Sequence, residues 1–92
     1  MLDYEWDPHK AERNYWKHGV RFADATSAFA DPAAITIEDD CRDEERYAII
    51  GHDGDGRLLV VIFTWRGEDL VRLISARRAT RAEARNYYVA EP

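Results

Sequence analysis

The chain has 92 residues, a net charge of −5, 46% hydrophobic residues and 34% charged residues. These values fit one folded domain over residues 1–92 and exclude a disordered chain. No apolar run approaches the length of about 18 residues that a membrane span needs. The acidic start is unlike a signal peptide, and Cys41, the single cysteine, excludes an internal disulfide. We therefore expect a cytoplasmic protein that has no contact with a membrane.

Charge is divided unevenly along the chain. Residues 1–45 carry 5 basic and 12 acidic side chains, whereas residues 46–92 carry 8 basic and 6 acidic side chains. An acidic total argues against strong non-specific binding of nucleic acid, which usually needs a basic domain. A local arginine patch in the second half is still compatible with binding a short stretch of RNA.

The first half of the chain predicts a short strand and two helices. From Leu2 to Trp6, apolar and acidic side chains alternate, which is typical of a strand with one buried face. Asp7 and Pro8 favour the start of a helix, which is expected to end at Gly19. A second helix with an apolar stripe is predicted at about 22–30, where an Asp-Pro pair stops it.

The second half predicts an antiparallel β-meander and a last helix. Strands are expected at 34–37, 46–51, 58–65 and 70–75, and the third is apolar on both faces, as a central strand should be. An acidic loop at 38–45 and a turn-rich loop at 52–56 separate the first three strands. Thr80 and Glu83 form a capping box that opens a helix to about Val89. The expected fold class is therefore α+β.

Clustered arginines are the main functional signal. Six of them fall between residues 66 and 85: Arg66, Arg72, Arg77, Arg78, Arg81 and Arg85. Two hairpin strands and a helix start are expected to bring them toward one edge of the sheet. Guanidinium groups bind phosphate through paired N–H groups and remain charged at any working pH, so the cluster suits stabilisation of a pentavalent phosphate. The alternative is a set of solvated arginines paired with the carboxylates of loop 38–45.

Two other side chains are candidates for proton transfer. His18 is a candidate general acid or base because histidine titrates near neutrality, although a histidine at a helix end can also serve as a cap. Tyr88 either faces RNA or helps to pack the last helix. The three histidines and the single cysteine show no zinc-ligand spacing, so we expect neither a metal nor a cofactor.

The order of several short motifs resembles the BrnT family of toxins. Residues 4–8, Tyr-Glu-Trp-Asp-Pro, and the later Lys17-His18-Gly19 are similar to the opening of that family. The most specific match is Ile74-Ser75-Ala76-Arg77-Arg78-Ala79 followed by Glu83. The resemblance covers nearly the whole chain and keeps the motifs in order.

This resemblance implies a RelE-like fold and a ribonuclease that acts in a type II toxin–antitoxin pair and inhibits translation. The implied partner is a BrnA-like antitoxin with a ribbon-helix-helix part, so that a hetero-oligomer of toxin and antitoxin reaches operator DNA only through the antitoxin. On this basis we expect metal-independent RNA cleavage. The residues expected to stabilise the phosphate or to move protons are Arg66, Arg77, Arg78, His18 and Tyr88. The residues expected to position the substrate are Arg46, Arg72, Lys17 and Arg81.

Two other functions stay open at the level of the sequence. The first is a binding module without chemistry, in which the arginines grip acidic residues of the antitoxin and the domain acts as a co-repressor. The second is direct DNA binding, against which the net charge and the absence of a helix-turn-helix pattern both argue.

Overall fold

The computed structural model describes residues 1–39 and 45–90. Its elements are, in chain order, β1 (Asp3–Glu5), α1 (Pro8–His18), α2 (Phe22–Ala25), a 3₁₀ helix (Thr26–Ala30), β2 (Ile35–Asp39), β3 (Arg46–His52), β4 (Leu58–Trp65), β5 (Leu70–Arg78) and α3 (Arg81–Ala90). The predicted α+β class and the predicted order of elements are confirmed. The acidic loop predicted at 38–45 lies mostly outside the described residues.

Five strands form one mixed sheet in the order β1-β5-β4-β3-β2. Strands β2 to β5 are an antiparallel meander, as predicted, whereas β1 pairs with β5 in parallel. β4 lies in the middle of the sheet, and most of its side chains are buried on both faces. The largely apolar sequence of β4 therefore reflects its central position.

The two faces of the sheet build two separate cores. One face packs against α1, α2 and the 3₁₀ helix through fully buried side chains that include Phe22, Leu59 and Leu73. The other face, here called the α3 face, packs against the last helix through Tyr87, Ile50 and Val60. Because α3 lies mainly over β3, the side of the α3 face near β1 and β5 remains accessible.

Helix α1 begins and ends as its sequence predicts. The Asp7 carboxylate accepts a hydrogen bond from the His9 N–H at 2.9 Å, and Pro8 occupies the first turn. Gly19 ends the helix with φ of 71° and donates its N–H to the Tyr15 carbonyl at 2.8 Å. None of the helices in the described ranges is long and apolar enough to cross a membrane.

The predicted second helix is instead two short elements. Only Phe22–Ala25 is α-helical, and Thr26–Ala30 continues as a 3₁₀ helix. The Thr26 hydroxyl donates to the Ala23 carbonyl at 2.8 Å, a local bond of the kind that competes with regular helix. The strand predicted at 34–37 also shifts, and runs from Ile35 to Asp39.

Strand β5 is longer than predicted and continues through Arg78, beyond the expected end at Ser75. Its inner edge pairs with β4 from Val71 to Arg78, with one irregularity at Ile74. Its outer edge pairs with β1 only from Leu70 to Arg72. Arg77 and Arg78 therefore belong to the strand and do not lie in the connection to α3.

Asn14 of α1 completes the outer edge of β5. Its side-chain amide donates to the Ala76 carbonyl at 2.8 Å and to the Val20 carbonyl at 3.0 Å, and its Oδ1 accepts the Ala76 N–H at 3.0 Å. The side chain is buried, so these bonds satisfy polar groups that water does not reach. Asn14 thereby fixes α1 alongside the part of β5 that β1 leaves open.

Candidate functional site

A cationic groove lies between α1 and the outer edge of β5. It has a volume of about 310 Å³ and is lined by Lys10, Arg13, Asn14, Lys17, His18, Ile74 and Ser75. The three cations recur every three or four residues along α1, which places them on one side of the helix. No carboxylate is among the lining residues, so the groove suits an anionic ligand.

A β-bulge determines which side chains of β5 reach the α3 face. Phe63 pairs with Leu73, but the neighbouring Ile62 pairs with Ser75, so Ile74 is an extra residue in β5. Directly paired residues project to the same face of a sheet. Ser75 therefore projects with Ile62 onto the α3 face, and it also lines the cationic groove.

The same register places two arginines of β5 on the α3 face. Arg72 pairs with Thr64, and Arg77 pairs with Val60 of the α3-facing core. Without the bulge, Arg72 and Ser75 would project to opposite faces, because strand side chains alternate. Arg72, Ser75 and Arg77 thus form a row along β5, next to the cationic groove.

Glu5 binds both Arg66 and Arg72. Its Oε2 accepts a hydrogen bond from Arg72 Nη1 at 2.8 Å and lies 3.8 Å from Arg66 Nε. The parallel pairing of β1 with β5 puts Glu5 directly beside Arg72. The three residues, here called the Glu5 cluster, combine one carboxylate with two guanidinium groups and so keep a positive charge.

Arg77 is held by Glu83 at the start of α3. Two hydrogen bonds, of 2.7 and 2.8 Å, join the guanidinium to the two carboxylate oxygens of Glu83. Glu83 also accepts the Thr80 N–H at 2.8 Å, and its own N–H donates to the Thr80 hydroxyl at 3.2 Å, which confirms the predicted capping box. The hydrogen bonds from Arg77, more than any other contact, lower the pKa of Glu83 to about 2.

The remaining predicted arginines lie elsewhere. Arg78 pairs with Leu59 of the opposite core, so the structure does not bring it to the α3 face. Arg81 is exposed in the first turn of α3, and Arg46 begins β3. Among the described residues, the carboxylates that pair with Arg66, Arg72 and Arg77 come from β1 and α3.

The two predicted proton-transfer residues lie in different surroundings. His18 is half-buried at the end of α1 and lines the cationic groove together with Lys17. Tyr88 lies on the far part of α3, with its hydroxyl 3.3 Å from His52 Nε2. In the described ranges no group of three or more His, Cys, Asp or Glu side chains is arranged to hold a metal ion.

A polar cluster around His52 was missed by sequence reasoning. The Tyr87 hydroxyl donates to Asp31 Oδ2 at 2.7 Å and lies 3.1 Å from His52 Nδ1, while the His52 N–H donates to the same carboxylate at 2.8 Å. Burial acts to raise the pKa of Asp31, but these hydrogen bonds outweigh it and lower that pKa. The cluster joins α3 to β3, and no sequence motif connects its distant members.

The fold and the groove define a small α+β protein whose positively charged surface suits an anionic ligand. A family model described as the ribonuclease toxin, BrnT, of type II toxin–antitoxin systems matches residues 6–83. The chain therefore belongs to the BrnT family of ribonuclease toxins, and the resemblance found in the sequence is confirmed. As a member of a toxin family of this type, it has an antitoxin as its partner.

Similarity to a solved structure agrees with the family assignment. The chain is similar to the crystal structure of the ribonuclease toxin BrnT from Brucella abortus, with 25% sequence identity and a TM-score of 0.66. The match covers 88% of this chain and 100% of the Brucella chain. A comparison with curated proteins gave no match.

Proposed function

We propose that this protein is a metal-independent endoribonuclease that cleaves RNA and inhibits translation. In the proposed reaction the 2′-hydroxyl attacks the adjacent phosphate, and the products carry a 2′,3′-cyclic phosphate and a 5′-hydroxyl. The observation that supports this function most is the cationic groove, which has no carboxylate in its lining and adjoins Ser75 between Arg72 and Arg77.

RNA binding is proposed to use the groove together with the row of β5. The volume of the groove, about 310 Å³, falls at the lower end of the range of roughly 300–1,000 Å³ for small-molecule sites. In this proposal Lys17 and Arg72 hold phosphates on the two sides of Ser75. Arg46 and Arg81, at the beginnings of β3 and α3, position parts of the RNA strand farther from Ser75.

Stabilisation of the reacting phosphate is proposed for Arg66 and Arg77. The place of Arg66 in the Glu5 cluster and the pairing of Arg77 on the α3 face support this role. The opposite orientation of Arg78 favours a contact with a neighbouring phosphate. Donors held in place before the reaction act strongly, and the loss of one typically costs about 10²–10³ in rate.

Proton transfer is proposed for His18 or Tyr88. The position of His18 in the cationic groove favours it over Tyr88, whose hydroxyl lies 3.3 Å from Nε2 of His52 on β3. Either side chain would deliver a proton to the departing 5′ oxygen.

Neutralisation is proposed to come from a BrnA-like antitoxin with a ribbon-helix-helix part. The hetero-oligomer would bind operator DNA through the antitoxin alone, which is consistent with the net charge of −5 on this chain. We propose the cytoplasm as the place of action, since RNA and antitoxin are both made there.

A cleavage assay on the purified chain, freed of its antitoxin, tests this function. We expect a single-stranded RNA to be cut in the presence of EDTA and a DNA of the same sequence to remain intact. Intact RNA, with binding of the antitoxin retained, would instead favour the non-catalytic co-repressor.

A further inference from the structure

Glu5 has one carboxylate oxygen engaged and one available. Oε2 accepts the hydrogen bond from Arg72 and lies beside Arg66, whereas Oε1 makes no hydrogen bond with any described residue. The side chain is 35% exposed, so Oε1 is within reach of a ligand. The pairing with Arg72 directs Glu5 to the accessible side of the α3 face.

Glu83, the other carboxylate bound to an arginine of β5, differs in this respect. Both of its oxygens accept hydrogen bonds, one from Arg77 and Thr80 and the other from Arg77. These bonds leave the carboxylate with a pKa of about 2, which makes it a poor proton acceptor. Of these two carboxylates, only Glu5 has an oxygen that accepts no hydrogen bond from a described residue.

We propose that Glu5 is the general base of RNA cleavage and that Oε1 is the atom that accepts the proton of the 2′-hydroxyl. This proposal rests on the ribonuclease function proposed above. Because Arg66 and Arg72 both contact Glu5, a phosphate bound by these guanidinium groups brings the adjacent ribose close to the carboxylate. General base and phosphate ligands then act within one cluster, which favours reaction through proximity.

The proposed step balances without an oxidant or a co-reactant. The 2′ oxygen loses its proton to Glu5 Oε1 and forms a bond to phosphorus, while the bond from phosphorus to the 5′ oxygen breaks. The departing 5′ oxygen takes up a proton supplied from solvent through the acid group. The neutral Glu5 carboxyl returns its proton to solvent and is ready for another turnover.

Three charged residues lie near Glu5, two on neighbouring elements and one on its own strand. Arg66 follows β4, Arg72 lies on β5, and Asp3 projects to the same face of β1 two residues earlier. The two arginines contact the Glu5 carboxylate, whereas the Asp3 side chain is exposed. If replacement of Glu5 abolishes the acid limb in the pH profile of cleavage, that limb is assigned to Glu5.

The substitution Glu5→Gln tests the proposal because it keeps the shape of the side chain and its bond from Arg72. We expect kcat to fall by about 10²–10⁴-fold, with the acid limb lost. RNA should bind as tightly as to the unaltered chain or more tightly, because a negative charge has been removed beside the phosphate. The matched control, Asp3→Asn, removes a charge from the same strand and should keep both kcat and the acid limb.

The outcomes separate this proposal from the function on which it rests. Cleavage by Glu5→Gln with an unchanged kcat and an unchanged acid limb would overturn the proposed role of Glu5 and leave the ribonuclease function intact. A loss of activity that is fully explained by weaker RNA binding would overturn the role of Glu5 in the same way. Failure of the unaltered chain to cut RNA would overturn both. If Glu5→Gln does not fold, Glu5→Asp takes its place, with a lower kcat and a retained acid limb expected. An unchanged kcat in Glu5→Asp would contradict the proposal.

Discussion

At the scale of single residues, the partners of each cation determine how it can act. Both Nη groups of Arg77 donate hydrogen bonds to Glu83. The cationic groove, which Lys17 lines, has no carboxylate in its lining. An incoming phosphate must compete with a carboxylate for Arg77 but not within the groove. We therefore expect first contact with RNA to be made by the groove.

Lys17→Ala tests the part played by the groove in RNA binding. We expect weaker binding of single-stranded RNA of any sequence and a decrease of about 1 in the slope of log affinity against log salt, since one phosphate contact is lost. Fluorescence anisotropy at several salt concentrations measures both values. Lys17→Arg keeps the charge and serves as control, and an unchanged salt slope in Lys17→Ala would exclude Lys17 from the interface.

Residue types indicated the cations, but their partners depended on the tertiary fold. The sequence pointed to Arg66, Arg72 and Arg77. Glu5, however, contacts Arg72 only because β1 pairs in parallel with β5, which is distant in sequence. His52 likewise appeared to be a loop residue until β3 and α3 brought it beside Tyr87. Contacts between segments distant in sequence leave no local pattern, so these partners could not be predicted.

At the scale of elements, the edge of β5 determines where the groove forms. β1 ends at Glu5. At Ala76 the side-chain amide of Asn14 makes the backbone hydrogen bonds that a neighbouring strand would otherwise make. Between these two points α1 stands beside the strand, and the bulge adds Ile74 to the groove lining. The groove is thus a consequence of incomplete pairing along one strand.

Asn14→Leu removes this edge contact. The Ala76 N–H and carbonyl would remain buried without a partner, which costs about 1–3 kcal/mol of unfolding free energy. Urea denaturation measures the loss. Arg13→Ala changes the exposed neighbour on the same helix and should alter stability by no more than about 0.5 kcal/mol. Equal stabilities of the two variants would show that Asn14 does not support β5.

The capping box of α3 predicts a particular loss of stability in acid. The pKa of Glu83 is about 2 in the folded chain and 4.5 as the ordinary value, so ionised Glu83 stabilises the fold above about pH 4.5. This contribution is lost as the pH falls toward 2. Chemical denaturation across this range should show a smaller pH dependence in Glu83→Gln than in the unaltered chain. Identical pH dependences would contradict the assigned pKa.

Element prediction succeeded where the signal was local. The Asp-Pro start and Gly19 end of α1, the capping box and the central strand β4, apolar on both faces, were each predicted from neighbouring residues and are confirmed. The bulge in β5, the extension to Arg78 and the parallel partner β1 depend on pairing between distant strands. Those features decide which arginines share a face, so the sequence alone could not assign them.

At the scale of the whole molecule, local charge differs from net charge. The chain carries −5 overall, yet the lining of the groove and the Glu5 cluster are both positive. A ligand at this surface encounters the local field, while the acidic remainder discourages non-specific binding of nucleic acid. This division fits the proposal that the chain contacts a short stretch of RNA at one place and leaves operator DNA to its antitoxin.

The chemistry at the ends of the cleaved RNA tests the central claim most directly. An oligonucleotide with a single ribose among deoxyriboses, incubated with the purified chain in EDTA, should be cut only after that ribose. Mass spectrometry should then show a 2′,3′-cyclic phosphate on one product and a 5′-hydroxyl on the other. Products with a 5′-phosphate, cleavage after a deoxyribose, or cleavage that requires an added metal ion would contradict the account.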